Sequence, residues 1–102
     1  MTALTTHVLD TVRGQGACGL RVDVQTPDGL VISTLLDNGG RAVLIDPLQA
    51  GAYELRFHAS EYQKMAGFYD IIPVRIIVDD PLAHYHVPLI LSLYGYSTYR
   101  GG

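Results

Sequence analysis

The sequence predicts an all-β protein, a two-sheet β-sandwich with one short helix. β-branched and aromatic residues recur in short runs, and Gly, Pro, Asp or Asn separates one run from the next. Several runs alternate apolar with polar residues, which is the period of a strand with one buried face. No linker, low-complexity tract or internal repeat interrupts the 102 residues. We therefore expect a single domain over residues 1–102 with seven or eight strands.

The N-terminal part of the chain contains three predicted strands, at residues 4–10, 20–26 and 30–36. The connections between and after them are a glycine-rich segment at 13–19 and turn sequences at 27–29 and 37–40. In the second strand apolar and charged residues alternate in the order Leu20, Arg21, Val22, Asp23, Val24. This alternation places one face of the strand in a core.

The C-terminal part contains predicted strands at 53–57 and 74–78, with the helix between them at 60–65. Ser60 is a residue type favoured at a helix N-cap, and Gly67 follows the end of the helical segment. Tyr94, Tyr96 and Tyr99 are expected to pack in strands, since the acidic balance disfavours a platform for stacking nucleic acid bases.

The segment from 84 to 93 is predicted to be a strand with two different faces. One face is a core row, made of Tyr85, Val87, Leu89, Leu91 and Leu93. The other face mixes polar and apolar residues, namely His84, His86, Pro88, Ile90 and Ser92. His7 and Leu9 share a face of the first strand in the same way. Histidine beside exposed apolar surface indicates contact with another subunit or a ligand.

The composition restricts the partners and the compartment. Ten acidic residues against seven basic ones give a formal charge of −3 with no basic run, so a nucleic acid partner is not expected. We expect no membrane association either, because the chain has no long apolar stretch and no charged leader. Cys18 is the only cysteine, which rules out an intrachain disulfide and favours a reducing compartment, the cytoplasm.

The residues alone leave the chemistry open. His7, His84 and His86 could supply three imidazoles to zinc, but no carboxylate or cysteine stands at ligand spacing, and an H-x-H pair is more often incidental. A solvated Arg41 and a surface His7 are the ordinary expectations for such residues. Ser97 and Thr98 lack the surroundings of a serine nucleophile.

Two long segments carry a family resemblance. LTTHVLDTVRGQGACGLRV near the start and HYHVPLILSLYGYSTYRGG at the end resemble the two signatures of the 5-hydroxyisourate hydrolases, which are transthyretin-like proteins. The Gly40-Arg41 turn and the segment YELRFHASEYQ are also similar to that family. The resemblance covers nearly the whole chain and implies a transthyretin-like (prealbumin-like) sandwich.

The resemblance also implies an activity, an assembly and a site. The activity is hydrolysis of the small molecule 5-hydroxyisourate to 2-oxo-4-hydroxy-4-carboxy-5-ureidoimidazoline in urate catabolism, by water attack on a cyclic amide with no metal or other cofactor. The assembly is a homotetramer, a dimer of dimers with active sites in grooves between the dimers. The residues that match the family's catalytic positions are His7, Arg41 and His86. Those that match its substrate-binding positions are Tyr99, Arg100 and Gly101. His84 is expected to support His86.

Two other classes of protein remain as alternatives. A transthyretin-like carrier would bind a small hydrophobic ligand in the corresponding channel without chemistry, and it has no need of His7, Arg41 and His86 together with a C-terminal Tyr-Arg-Gly. A zinc hydrolase would require tightly bound metal and would lose activity to a chelator.

Overall fold

The computed structural model describes residues 2–102, and the predicted all-β sandwich with one short helix is confirmed. The elements within this range are β1 (Leu4–Asp10), β2 (Gln15–Gly16), β3 (Arg21–Gln25), β4 (Val31–Leu35), β5 (Arg41–Ile45), β6 (Gly51–His58), α1 (Ala59–Gln63), β7 (Ile71–Val78), β8 (Tyr85–Leu91) and β9 (Tyr96–Thr98).

The strands form two sheets. The first sheet has the order β2-β1-β8-β9, and β5 also pairs with β1. The second sheet has the order β4-β3-β6-β7. β1 and β8 run parallel, whereas every other strand pair is antiparallel. The parallel pair brings the N-terminal and C-terminal parts of the chain together at the centre of the first sheet.

The core lies between the two sheets and is built from one face of each strand. The largest side chains that are completely or almost completely buried are Tyr53, Phe57, Leu4, Leu20, Leu55, Ile72, Leu89, Leu91, Val8, Val22, Val24 and Val78. The predicted core row of β8 is confirmed from Tyr85 to Leu91, while Leu93 lies beyond the strand and is only partly buried. Burial of one face leaves the other face of the first sheet free for a site.

Three strands of the first sheet have no counterpart among the predicted strand ranges, namely β2, β5 and the three-residue β9. β5 begins directly after the predicted turn 37–40, at Arg41, and its five residues are too few to show a clear period. β2 has only two residues, which carry no periodic signal at all. β7 starts at Ile71, three residues before the predicted start, and includes Pro73. Proline is tolerated there because β7 is an edge strand, which leaves one side of its backbone unpaired.

The helix is predicted correctly in place but not in its cap. α1 follows His58, and no side chain caps its first turn. The Ser60 hydroxyl instead donates a hydrogen bond to the carboxylate of Asp70, so the predicted N-cap at Ser60 is wrong. The helix is tied to the first sheet by Tyr62, whose hydroxyl donates to Asp10 Oδ2 at 2.7 Å. Burial, followed by this bond, raises the pKa of Tyr62 to about 12.

The tyrosines near the C-terminus are exposed in this chain. Tyr94, Tyr96 and Tyr99 expose 76%, 39% and 57% of their surface, so the expected packing of all three rings in strands is wrong. Of these three, only Tyr96 makes an edge contact with another ring in the described residues. Its ring centre lies 5.0 Å from that of Tyr69.

No helix within residues 2–102 has the length and apolarity to span a bilayer.

Candidate active site

Three of the predicted site residues lie on the outer face of the first sheet. His7 on β1 is directly opposite Arg41 on β5. Thr5, two residues before His7 and therefore on the same face, is in register with His86 on β8. The three strands thus bring His7, Arg41 and His86 together although they are far apart in sequence.

Arg41 and His86 line a shallow groove of about 460 Å³, and His7 lies beside it, opposite Arg41. The lining of the groove comprises Thr5, Thr6, Asp37, Arg41, Ala42, Val43, His84, His86 and Gly102. The volume falls within the range of about 300–1,000 Å³ that is usual for small-molecule sites. Two imidazoles and a guanidinium group are part of this lining, so the groove suits a small, polar and planar ligand.

A tight turn between β4 and β5 places Arg41. The carboxylate oxygen Oδ1 of Asp37 accepts hydrogen bonds from the backbone N–H groups of Gly39 at 2.9 Å and Arg41 at 3.0 Å. Gly40 has a φ of +74°, and a Cβ at this position would lie 2.6 Å from Val8 O. Only glycine fits such a conformation so close to β1, and the predicted Gly-Arg turn therefore has a physical basis.

His86 is held from two sides. Its Nδ1 is 2.8 Å from the Thr5 hydroxyl. On the other side, Gly101 packs against the imidazole, because a Cβ on Gly101 would lie only 2.5 Å from Cδ2 of the ring. The backbone N–H of Gly101 donates to His86 O at 2.8 Å and so fixes the C-terminal segment on β8. The ring is therefore oriented before any ligand arrives.

The surroundings lower the pKa of both His7 and His86. Burial, followed by the positive charge of Arg41, lowers the pKa of His7 below 6.5, while the backbone of Gly39 and the charge of Asp37 act in the opposite direction. Burial, then Arg41, His7 and His84, lowers the pKa of His86. Neutral imidazoles at pH 7 can accept protons, which is what a general base requires.

Tyr99 and Arg100 do not line this groove. They border a neighbouring apolar cavity of about 330 Å³ together with residues of β7, and His86 lies between the cavity and the groove. The Arg100 guanidinium is 4.4 Å from the centre of the Tyr85 ring, in a cation–π contact. Of the predicted Tyr-Arg-Gly segment, Gly101 is the residue that contacts His86.

His84 lies beside His86 as predicted, and its Nε2 is 3.1 Å from the Thr5 hydroxyl. Among residues 2–102, no three His, Cys, Asp or Glu side chains converge as a set of metal ligands. His84 and His86 line the groove and His7 lies beside it, but the three histidines of the zinc alternative do not converge as a set of metal ligands.

Sequence reasoning missed two residues of this site, Thr5 and Asp37. Thr5 shares a face with His7 by the two-residue period of β1, and this is a usable signal. Its position opposite His86 depends on the register between β1 and β8, which the sequence does not reveal. Asp37 begins a recognisable turn, but its contact with the backbone of Arg41 needs the fold.

Comparison with known families and curated proteins gives a consistent result. Residues 4–101 match the model of the family described as HIUase/Transthyretin family. A Rhizobium meliloti (strain 1021) protein named 5-hydroxyisourate hydrolase 2 is 44% identical, in an alignment of 115 positions that covers 96% of this chain and 94% of that protein.

Comparison with solved structures gives the same fold. The structure of Klebsiella pneumoniae 5-hydroxyisourate hydrolase has a TM-score of 0.88 and 26% identity, and the match covers all of both chains. Transthyretin from Sparus aurata has a TM-score of 0.84 at 24% identity, covering 99% of this chain and 97% of the transthyretin, a likeness of fold alone.

Proposed function

Because this chain belongs to the HIUase/Transthyretin family, we propose that it is an enzyme that hydrolyses 5-hydroxyisourate. The product is 2-oxo-4-hydroxy-4-carboxy-5-ureidoimidazoline, in urate catabolism. Water adds to a ring carbonyl, the C–N bond of the cyclic amide breaks, and a proton reaches the leaving nitrogen. The carbonyl carbon becomes the carboxy group and the nitrogen becomes part of the ureido group.

The observation that supports this function most directly is the position of two neutral histidines beside one arginine on one face of the first sheet. One imidazole removes a proton from water and then returns a proton to the leaving nitrogen, and the N–H of the other steadies the oxygen that gains negative charge. The Arg41 guanidinium offers planar N–H donors to the oxygen that gains negative charge in the transition state. These roles need no metal and no organic cofactor.

We further propose that Gly101 helps to build the substrate pocket through its contact with His86, and that Tyr99 and Arg100 complete the pocket from the adjoining cavity. A carrier without chemistry is less well supported, because a transthyretin-like ligand channel does not require a charged arginine beside two histidines. We place the protein in the cytoplasm on the basis of its single cysteine.

We also propose that the protein assembles into a homotetramer, a dimer of dimers. Leu9 and Val43 expose 37% and 53% of their surface on the same face as the site, and Ile90 lies opposite Leu9 in the sheet. Apolar side chains around a polar groove are typical of a surface that another subunit covers.

The direct test generates 5-hydroxyisourate in place with urate oxidase and follows its ultraviolet absorbance with and without this protein. We expect faster decay of the intermediate, and the same rate after treatment with a chelator. Decay no faster than in buffer would refute the hydrolase function. Activity abolished by a chelator and restored by zinc would favour the zinc hydrolase instead.

A further inference from the structure

The hydroxyl group of Thr5 lies within hydrogen-bond distance of two histidines, His84 and His86. Thr5 Oγ1 is 2.8 Å from Nδ1 of His86 and 3.1 Å from Nε2 of His84. Both distances are normal for hydrogen bonds. A hydroxyl carries a single hydrogen, so when it donates to one imidazole it must accept from the other. The protonation of one ring is thereby tied to that of its neighbour.

The backbone fixes this arrangement. β1 and β8 pair in parallel with Thr5 in register with His86, and His84 is on the same side because it lies two residues earlier. The pairing continues beyond the strand, since the N–H of Tyr85 donates to Ala3 O at 2.9 Å. Threonine is also β-branched, which restricts χ1 and so helps to hold the hydroxyl oxygen in position.

We propose that Thr5 is a positioning residue that relays a proton between His86 and His84. This inference rests on the proposed hydrolase function. In the starting state His86 carries its proton on Nδ1 and donates it to Thr5, and Thr5 donates to Nε2 of His84. Nε2 of His86 then holds the free electron pair that attacks a proton of water.

The transfer balances in protons and charge. As Nε2 of His86 takes a proton from water, the hydroxide equivalent adds to the substrate carbonyl. The Nδ1 proton of His86 moves to Thr5 Oγ1, and the former hydroxyl proton moves to Nε2 of His84. His86 ends neutral with its proton on Nε2, and His84 ends as an imidazolium. The reverse shift delivers one proton from Nε2 of His86 to the leaving nitrogen and restores the starting state.

The surroundings of the two rings favour this direction. His86 is half-buried, and it faces Arg41 from β5, His7 from β1 and the C-terminal segment at Gly101, so a second positive charge there is disfavoured. His84 is exposed, where water stabilises the charge. Asp37, in the turn before β5, is the acidic side chain that lines the same groove.

The first arm of the test needs no substrate. The chain has four histidines, so ¹⁵N NMR of the histidine-labelled protein can resolve each ring. We expect neutral His86 to be the Nδ1–H tautomer in the unmodified protein and in Thr5→Ser, and to lose this preference in Thr5→Val, which keeps the side-chain shape without the hydroxyl. Unchanged tautomers in a folded Thr5→Val protein would overturn the proposal.

The second arm follows turnover. In Thr5→Val we expect kcat to fall roughly tenfold, a part of the ~10²–10⁴-fold effect of general acid–base catalysis, with KM nearly unchanged. Turnover should also come to depend on the concentration of a small imidazole buffer, because the buffer then exchanges protons with His86 directly. Thr5→Ser should restore kcat and independence from buffer, and His84→Gln should resemble Thr5→Val.

Thr11→Val is the matched control, since the Thr11 hydroxyl bonds to Leu91 O and Ser92 at the far end of β1. It should leave both the tautomer and the buffer response unchanged. Full, buffer-independent turnover in Thr5→Val would overturn the relay. If the unmodified protein failed to accelerate hydrolysis, the proposed function would fail, and the NMR arm would still decide whether Thr5 couples the two rings.

Discussion

His7 and Arg41 are cross-strand partners in the antiparallel ladder between β1 and β5, so the sheet itself fixes a permanent positive charge beside an imidazole. The effect extends to His86, whose pKa is lowered by burial and then by the same arginine. Arg41 therefore has two effects in this groove. Its guanidinium carries N–H donors suited to a polar ligand, and its charge, second to burial, lowers the pKa of His7 and of His86.

These two effects can be separated by substituting Arg41 in two ways. Arg41→Gln removes the charge, so the pKa values of His7 and His86 should rise towards 6.5, whereas Arg41→Lys keeps the charge and should leave both pKa values low. A base with a lowered pKa remains active to lower pH. The acid limb of kcat/KM should thus lie below pH 6.5 and move upwards in Arg41→Gln.

The measurement is an NMR titration of the two imidazoles alongside the pH profile of kcat/KM. Lysine lacks the planar pair of donors, so Arg41→Lys should lose activity without a shift in the pH profile, and Arg41→Gln should lose more. Equal pKa values in both variants would show that the charge of Arg41 does not set the protonation of the site.

Removal of each proposed catalytic side chain should stop most of the reaction without unfolding the protein. His7→Ala, Arg41→Ala and His86→Ala are each expected to lower kcat/KM by at least about 100-fold, the lower end of the effect of a positioned proton-transfer group. All three side chains lie outside the core, so circular dichroism should show a native fold.

His58→Ala is the control for that series. Its Nε2 lies 2.8 Å from Asp23 Oδ2 on the second sheet, away from the groove. Loss of this pair should lower Tm and leave kcat/KM unchanged. Near-normal turnover in any of the three site variants would remove that residue from the catalytic group.

The contact between Gly101 and His86 predicts a steric effect on catalysis. In Gly101→Ala the new Cβ would lie 2.5 Å from Cδ2 of the imidazole, so the ring or the C-terminal segment must move. A displacement of about 1 Å at a catalytic group can cost about 10²-fold in rate, and we expect a loss of that order in kcat. In Gly95→Ala the new Cβ would have no atom within 4 Å, so kcat should equal that of the unmodified protein. Equal kcat in the two variants would show that the Gly101 contact does not position His86.

The sequence predicts those parts of this structure that depend on the two-residue period of strands and on turn-forming residues. The two faces of β8 follow from strict alternation, and the conformation of Gly40 follows from the turn before Arg41. The sequence was insufficient where pairing decides the outcome. The relationship of Thr5 to His86 depends on a parallel register across about eighty residues, and Pro73 belongs to β7 only because that strand lies at an edge.

Strand pairing also places exposed apolar residues beside the site, and these residues predict the assembly. Leu9 and Val43 lie on the same face as the site with exposed side chains, and their burial by another subunit would favour a tetramer through the hydrophobic effect. Leu9→Asp places a charge in that interface and should shift the protein to smaller species in light scattering. Leu35→Asp is the matched control, because Leu35 is 64% exposed on β4 of the other sheet.

If each groove needs more than one subunit, activity must follow assembly. In Leu9→Asp, kcat/KM should fall together with the tetramer fraction and recover as the protein concentration is raised, because mass action restores the assembly. Leu35→Asp should retain both assembly and activity at every concentration. A monomer of the unmodified chain with full activity at working concentration would show that the groove on one subunit is a complete site.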